Sequence, residues 1–516
     1  MRIFFQGLRS RFKPISIAPI LLLLVLASWS LASPVGSAPD DDFHLDSIWC
    51  GGSFQTGVCE AGPTTTERIV PRFLPHAPCY SFIPSKSAAC QGGPATIESG
   101  VMATTDRGNF QNNYPPVFYS FMRLFVGSSI EGSVLVMRLV NSLIFVAFTT
   151  TLWFLSPPRI RRMSAIMWPV TLLPLGLFLV TSNNPSSWAI MGVAFAFTSL
   201  LSFFAVTKRG PLVALGGLFL ISTVMAAGAR GDAAIYAVIA SLAAMTLSFT
   251  KSRAFAWKAL LPLAGLGISL IFYFMSQQAG VASTGLGGAT AGSKSLAENL
   301  GVLVSNVMQL PALWIGVFGE SGLGSVPVTL GNLGWLDTQM PMLVWVPALF
   351  VAMTAFFTGL RHLDMRKTLA LCGVAAALIA LPLYVLQVSL SRVGSDLQPR
   401  YLLPLIVVIM AVALYVKSGH DFFVSRGQIV VWVGMLGVAQ SLALHVNMRR
   451  YITGTDVLSM NLNQNIEWWW STSVGPQTVW IIGSISWFLL LLLIFNNLHL
   501  SGEKHVKTHA AFTATK

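Results

Sequence analysis

The amino-acid sequence predicts an all-α integral membrane protein with about twelve transmembrane helices. Composition, apolar run length and the placing of charge carry that prediction. Hydrophobic residues make up 54% of the 516 positions and charged residues 10%. A soluble globular chain carries about 25% charged residues, so this one cannot cover itself with a solvated surface. Apolar runs of 16 to 23 residues recur along it, the length a helix needs to cross a bilayer. The net charge of +13 raises the question of a nucleic-acid partner, and its distribution answers it. With the loops placed alternately inside and outside, the inside segments hold 20 Lys and Arg against 3 Asp and Glu, and the outside half holds 12 against 16. Positive residues retain loops on the cytoplasmic side. The charge therefore records topology, and no nucleic-acid partner is expected.

The elements follow in order. Residues 1–14 form a basic cytoplasmic N-terminus with Arg2, Arg9, Arg11 and Lys13. Residues 15–33 form the first apolar segment. Small residues at Ala32 and Ala38 would suit a cleaved signal peptide, but the segment is long enough to span and is read as a retained anchor. Residues 34–132 make a polar external loop whose end, Tyr114–Val126, is aromatic and amphipathic and suits an interface. Residues 133–277 hold transmembrane helices 2–7, with spans near 133–155, 164–182, 185–206, 211–228, 232–249 and 259–277. Residues 278–340 form a second external region. Its apolar stretch 300–318 contains Pro311 and is read as re-entrant or interfacial, because a full span there would reverse the charge pattern of everything after it. Residues 341–497 hold helices 8–12, and 498–516 form a cytoplasmic tail. Both termini are thus expected in the cytoplasm.

Five cysteines are present. Cys50, Cys59, Cys79 and Cys90 fall in the first external loop, where an oxidising compartment favours two disulfides. Three pairings are possible and the spacing does not choose among them. No close pair of the kind that binds zinc occurs, and the histidines are scattered. No metal site is expected.

Residues suited to chemistry collect near the outer ends of helices. Asp40-Asp41-Asp42, with His44 close behind, place adjacent carboxylates at a membrane surface. Mutual repulsion raises their proton affinity, as a general base requires; a hydrated acidic loop is the plainer reading. Arg400-Tyr401 opens a helix, where a guanidinium can grip a phosphate in two places or simply anchor the helix. Arg138 and the Arg230/Asp232 pair lie within or between spans, as ion-pair or functional candidates. Trp335 and Asp337 stand in the second external region. Arg449 and Arg450 follow the eleventh span, and Trp468-Trp469-Trp470 precede the twelfth as belt or sugar-stacking residues.

These pieces occur in an order that resembles the bacterial polytopic membrane family catalogued as domain of unknown function 2142. That family is similar in layout to GT-C-fold glycosyltransferases. Its opening motif reads Pro-Asp-Glu with a His three residues after the Glu. Pro39, Asp40 and His44 match it, and Asp41 stands where Glu is usual. Further matches are Tyr114-Pro115-Pro116, Arg138-Leu139, Asn184-Pro185 and Gly334-Trp335-Leu336-Asp337-Thr338. Gln398-Pro399-Arg400-Tyr401 matches with Pro399 in place of Gly, and Arg450-Tyr451 closes the series. The resemblance covers about residues 38 to 480.

The resemblance implies a GT-C-like enzyme in the plasma (inner) membrane of a bacterium. Such an enzyme moves a sugar from a polyprenyl-phosphate-linked donor to an envelope glycan or lipid acceptor on the external face. Asp40 or Asp41 would be the base and His44 would orient it. Arg400, assisted by Arg449 or Arg450, would hold the donor phosphate. Tyr114, Trp335, Asp337 and Tyr401 would shape the acceptor cleft, and no cofactor is expected. The alternatives are a transporter or flippase of lipid-linked glycans, or a non-catalytic envelope-assembly protein. A transporter would place polar residues deep within several spans, and here they gather at helix ends.

Overall fold

The structure, a computed structural model, describes residues 14–280, 295–320, 330–395, 397–417 and 424–513. The basic start at Arg2, Arg9, Arg11 and Lys13 lies outside the described residues. So do stretches 281–294 and 321–329 of the second external region. Among the described residues, ten helices are long and apolar enough to cross a membrane, and two shorter apolar ones accompany them.

The first short helix, α1 (Ala18–Leu31), leads to a non-helical stretch and then to α2 (Asp41–Trp49). The external loop carries α3 (Val117–Arg123) near its end. The bundle continues with α4 (Ile130–Leu155), α5 (Pro158–Thr171), α6 (Leu175–Val180), α7 (Ser186–Ala205), α8 (Arg209–Ala229), α9 (Gly231–Ser248) and α10 (Leu260–Met275). After these come α11 (Leu296–Ile315), α12 (Met342–Gly359), α13 (Met365–Val388), α14 (Pro399–Leu414), α15 (Arg426–Ile452) and α16 (Pro476–Thr513). Helix starts follow local chemistry. Ser129 accepts from Gly132 N and Asp364 from Lys367 N, while Ser425 and Gln428 cap each other reciprocally. Helix α7 is the central helix, with 89% of its apolar window buried, whereas the window containing α10 is 17% buried and lies at the periphery of the bundle.

Two expectations need refinement. The span expected at 164–182 is interrupted: Pro174 supplies no N–H, and the chain ends α5 before it and resumes as α6. The stretch read as interrupted by Pro311 is continuous, since α11 carries that proline inside it. Length and hydropathy alone would let α11 cross a membrane. Its contacts instead tie it to the connection between α13 and α14. Gln387 Nε2 donates to Asn299 O, Asn306 Nδ2 donates to Ser391 O, and Val393 N donates to Asn306 Oδ1. At its far end Gly316 packs against Pro399. The helix thus lies along the end of the bundle where α14 begins.

The loop between α1 and α4, expected outside, is a folded unit. Strands β1 (Glu60–Ala61), β2 (Arg68–Pro71) and β3 (Met102–Thr105) form an antiparallel sheet in that order. Disulfides join Cys50 to Cys59 and Cys79 to Cys90, which selects one of the three possible pairings. Helix α3 does not lie free on a bilayer surface. Phe118, Tyr119 and Met122 are buried, and Val117 packs against Gly228 at the end of α8.

The stretch from Ala32 to Pro39 organises this end of the molecule. It is almost wholly buried yet makes no helix, so its carbonyls need donors from elsewhere. Trp470 Nε1 donates to Leu31 O and Asn447 Nδ2 to Ala32 O. Arg138 donates to Ser30 O, Ser33 O and Pro34 O, and to Ser37 Oγ. The Tyr80 hydroxyl and Gln91 Nε2 share Val35 O. Trp335 Nε1 takes Gly36 O and Asn184 Nδ2 takes Pro39 O. Arg138 is therefore a structural clamp.

Two outcomes check this description. Peptide mapping of the unreduced protein should recover Cys50–Cys59 and Cys79–Cys90, and a crossed pair would refute the loop's topology. Arg138→Met should leave several buried carbonyls without donors, at about 1–3 kcal/mol each, and strongly lower the unfolding temperature in detergent. A variant as stable as the parent would show that the clamp is not needed.

Candidate functional site

The site forms where the stretch after α1 meets the start of α14. Asp40 is the residue before α2 and adopts a left-handed backbone, φ 60°, a conformation that Asp tolerates better than most residues. Its side chain does not cap α2. It reaches Arg400, the second residue of α14. Arg400 Nη2 lies 2.7 Å from Asp40 Oδ2 and 3.0 Å from the Tyr401 hydroxyl. The two partners differ in access: the Arg400 side chain is 4% exposed and that of Asp40 39%. Arg400 Nε and Nη1 are buried with no acceptor. The pair joins positions 360 residues apart, and it is the spatial coincidence that the sequence reading required.

Further charges frame it. Arg107, from the external loop, lies 2.8 Å from Asp42 and 3.5 Å from Asp40. Burial pushes the Asp40 carboxyl up, but Arg400 and Arg107 more than offset this and hold it below the usual aspartate value. Arg230 grips Asp232 with two hydrogen bonds of 2.9 and 2.8 Å. The Tyr401 ring lies beside both guanidiniums, 4.6 Å from Arg230 and 5.0 Å from Arg400. Tyr114 sits 5.7 Å from Arg230. Burial pushes its hydroxyl up to about 12, although Arg230 opposes the shift. Tyr114 and Tyr401 thus both pack against the guanidiniums of the site.

Asp41 turns the other way. It is fully buried, and its Oδ2 accepts the Ala38 N–H at 2.9 Å, closing the turn that presents Asp40. Burial pushes its carboxyl up to about 7 against the pull of Arg138. His44 is buried one turn along α2. Its Nδ1 shares a 2.9 Å hydrogen bond with the Tyr119 hydroxyl, and its ring packs against Phe43, Tyr114 and Tyr119. Burial pushes it down to about 3, so the ring is neutral at physiological pH. Its backbone N–H donates to Asp40 O at 2.9 Å. His44 thereby helps hold the peptide that carries Asp40, and no bond joins its ring to the carboxylate.

The remaining candidates form a second, separate cluster. Arg450 Nη2 bonds Asp337 Oδ2 at 2.8 Å and Tyr80 O at 2.9 Å, and its Nη1 bonds Lys86 O at 2.6 Å. Asp337 also accepts the Phe82 N–H. Arg449 donates to the carbonyls of Ser459, Asn461 and Gln464. Neither arginine joins Arg400, which corrects the expectation that they assist at a phosphate. Consecutive helical residues point about 100° apart, and each guanidinium is used to bind a different loop. Trp335 and Asp337 are likewise buried, at 8% and 5% exposure. They fasten the second external region to the first loop behind the site and do not line an open cleft. Gly334 makes that fastening possible: its φ is +61°, and a Cβ there would meet the Tyr451 hydroxyl.

Three neighbours of Asp40 and Arg400 escaped the site reading. Asp42 belongs to the acidic run but gave no sign of its partner. Arg107 stands in an irregular loop with no pattern around it. Tyr119 read as part of an amphipathic face. Among the described residues no group of three or more His, Cys, Asp or Glu is arranged to hold a metal ion.

Comparison with known proteins adds one finding. The model of the family described as "Predicted membrane protein (DUF2142)" matches residues 23–409. That stretch contains Asp40, Asp41, His44, Arg138, Arg230 and Arg400, and stops short of Arg449 and Arg450. No curated protein and no solved structure matches the chain. A match over well more than half of the 516 residues assigns the chain to the DUF2142 family of predicted membrane proteins.

Proposed function

We propose that this chain is a GT-C-like membrane glycosyltransferase that moves a sugar from a polyprenyl phosphate to a hydroxyl of an envelope glycan or lipid. One observation carries the reading. A buried arginine keeps two nitrogens, Nε and Nη1, without acceptors beside a half-exposed aspartate that is held ionised. Buried donors of this kind are costly unless a ligand satisfies them, and a phosphate oxygen fits a guanidinium.

In the proposed step the Asp40 carboxylate takes the proton of the acceptor hydroxyl as its oxygen attacks the anomeric carbon. The new carbon–oxygen bond forms as the bond from that carbon to the phosphate oxygen breaks. The leaving polyprenyl phosphate keeps the electron pair, and Arg400 Nε and Nη1 stabilise it. Asp40 is preferred to Asp41 because Asp41 is turned inward onto Ala38 and is shielded from any acceptor. Arg107 and Asp42 hold Asp40 from the external loop, and Tyr114 and Tyr401 supply aromatic walls for a sugar. The proteins that act on the same lipids by transport would need no base; full export with no transfer would support that alternative.

A transfer assay in membranes with a panel of polyprenyl-phosphate sugars tests the roles. Asp40→Asn should lower transfer about 10²–10⁴-fold, while Asp41→Asn keeps most of it and loses stability instead. Arg400→Gln should abolish transfer with the chain still folded. Full activity in both Asp40→Asn and Arg400→Gln would end the proposal.

The pH profile gives a second check. Asp40 is held below the ordinary aspartate value by Arg400 and Arg107, so it stays ionised until the pH falls through that lowered value. The acid limb of the rate should accordingly lie below the usual carboxylate range. Removing a positive neighbour, as in Arg107→Ala, should move the limb upward. An unmoved limb would assign the base elsewhere.

A further inference from the structure

A groove of about 570 Å³ opens at the end of the bundle remote from Asp40. It lies between the start of α1, the end of α4, α5 and the apolar part of α16, with Leu22, Trp153, Trp168 and Trp487 among its walls. Its volume falls in the range of about 300–1,000 Å³ typical of small-molecule sites. It follows α5 from Arg161 to Leu172, a depth of roughly 16 Å at the helical rise. This place and the Arg400 site sit at opposite ends of the helices, so the inference below is independent of the proposed activity.

Three features show what the groove suits. Its walls are overwhelmingly apolar, as an acyl chain requires. No Asp or Glu lines it, and Arg161, whose Nε donates to Ser156 O at 2.8 Å, is among its walls in the basic Arg159-Ile160-Arg161-Arg162 run. Two hydroxyls in its walls, Thr149 Oγ1 and Ser164 Oγ, are buried without a partner. Helical Ser and Thr ordinarily return their hydrogen to a carbonyl one turn back. Ser142, Thr171, Thr198 and Ser199 in the same bundle do so. Thr149 on α4 and Ser164 on α5 both line the groove and do not. Hydrocarbon offers them nothing, whereas the ester carbonyls of a glycerolipid are acceptors only and would take both.

We infer that this groove is a binding site for one anionic glycerophospholipid of the leaflet at that end. An acyl chain would lie along α5, the ester region at Thr149 and Ser164, and the phosphate at Arg161. Basic pockets between transmembrane helices recognise anionic head groups by this chemistry.

The full chain in nanodiscs tests it, using phosphatidylglycerol or phosphatidylcholine with a photoreactive acyl chain and peptide mapping of the cross-links. Labelling should concentrate on Leu22, Trp153 and their neighbours, and phosphatidylglycerol should label about fivefold more than phosphatidylcholine, the worth of one basic residue at a membrane. Arg161→Gln should remove that preference and leave the tail in place. Ala165→Trp should fill the groove and abolish groove labelling, while labelling of the peripheral α10 stays unchanged. Should Ala165→Trp fail to fold, the Arg161→Gln comparison decides alone. Equal labelling by the two lipids in the parent protein would overturn the inference. So would groove labelling that persists in folded Ala165→Trp, or a photoreactive residue placed at Leu22 that captures residues 1–13 of the chain instead of lipid.

Discussion

Every other feature of this end of the molecule depends on how eight residues of bare backbone are kept dry. From Ala32 to Pro39 the chain leaves a helix, runs buried, and enters another helix. A carbonyl without a donor in such surroundings costs about as much as a lost buried hydrogen bond, roughly 1–3 kcal/mol. Six of these carbonyls, and that of Leu31 before them, are answered by side chains from the loop between α1 and α4, from α4, from the loop before α7, from α15 and its following loop, and from the region between α11 and α12. The arrangement works only if all those segments are in place together. It therefore fixes the path of the chain and the direction in which Asp40 emerges from it.

That path gives three consecutive aspartates three different environments. Asp40 meets Arg400, Asp42 meets Arg107, and Asp41 bonds the backbone behind it. The repulsion expected of adjacent carboxylates is relieved by separate partners. Their proton affinities diverge as a result: Asp40 is held low by its arginines, and Asp41 is raised by burial to about 7. Separating the properties of neighbouring carboxyls in this way suits one of them for chemistry and another for structure.

The bundle was legible in the sequence because bilayer crossing imposes length and apolarity on each helix. The meeting of Asp40 with Arg400 was legible only through the order of motifs, since no local pattern links positions 360 residues apart. What escaped reading shares a physical cause. Arg107, Tyr80, Gln91 and Asn447 act as single donors or charges in irregular surroundings, where no periodicity marks them. The small sheet rests on strands of two to four residues, too short for an alternation to register. Arg449 and Arg450 looked like phosphate ligands because a basic pair at a helix end resembles one. Only the path of the loops reveals that their donors serve backbone carbonyls and the Asp337 carboxylate.

The shortness of α14 has a consequence for how a lipid would reach Arg400. Sixteen residues at the helical rise make a rod of about 24 Å, against a hydrocarbon layer of about 30 Å. A helix shorter than the bilayer is accommodated by local thinning or by sinking one of its ends. The guanidinium at its first turn is enclosed by the neighbouring elements, its side chain 4% exposed. A phosphate attached to a long isoprenoid could meet it while its tail stays embedded, so a carrier of that kind would slide in sideways and need not climb out into water.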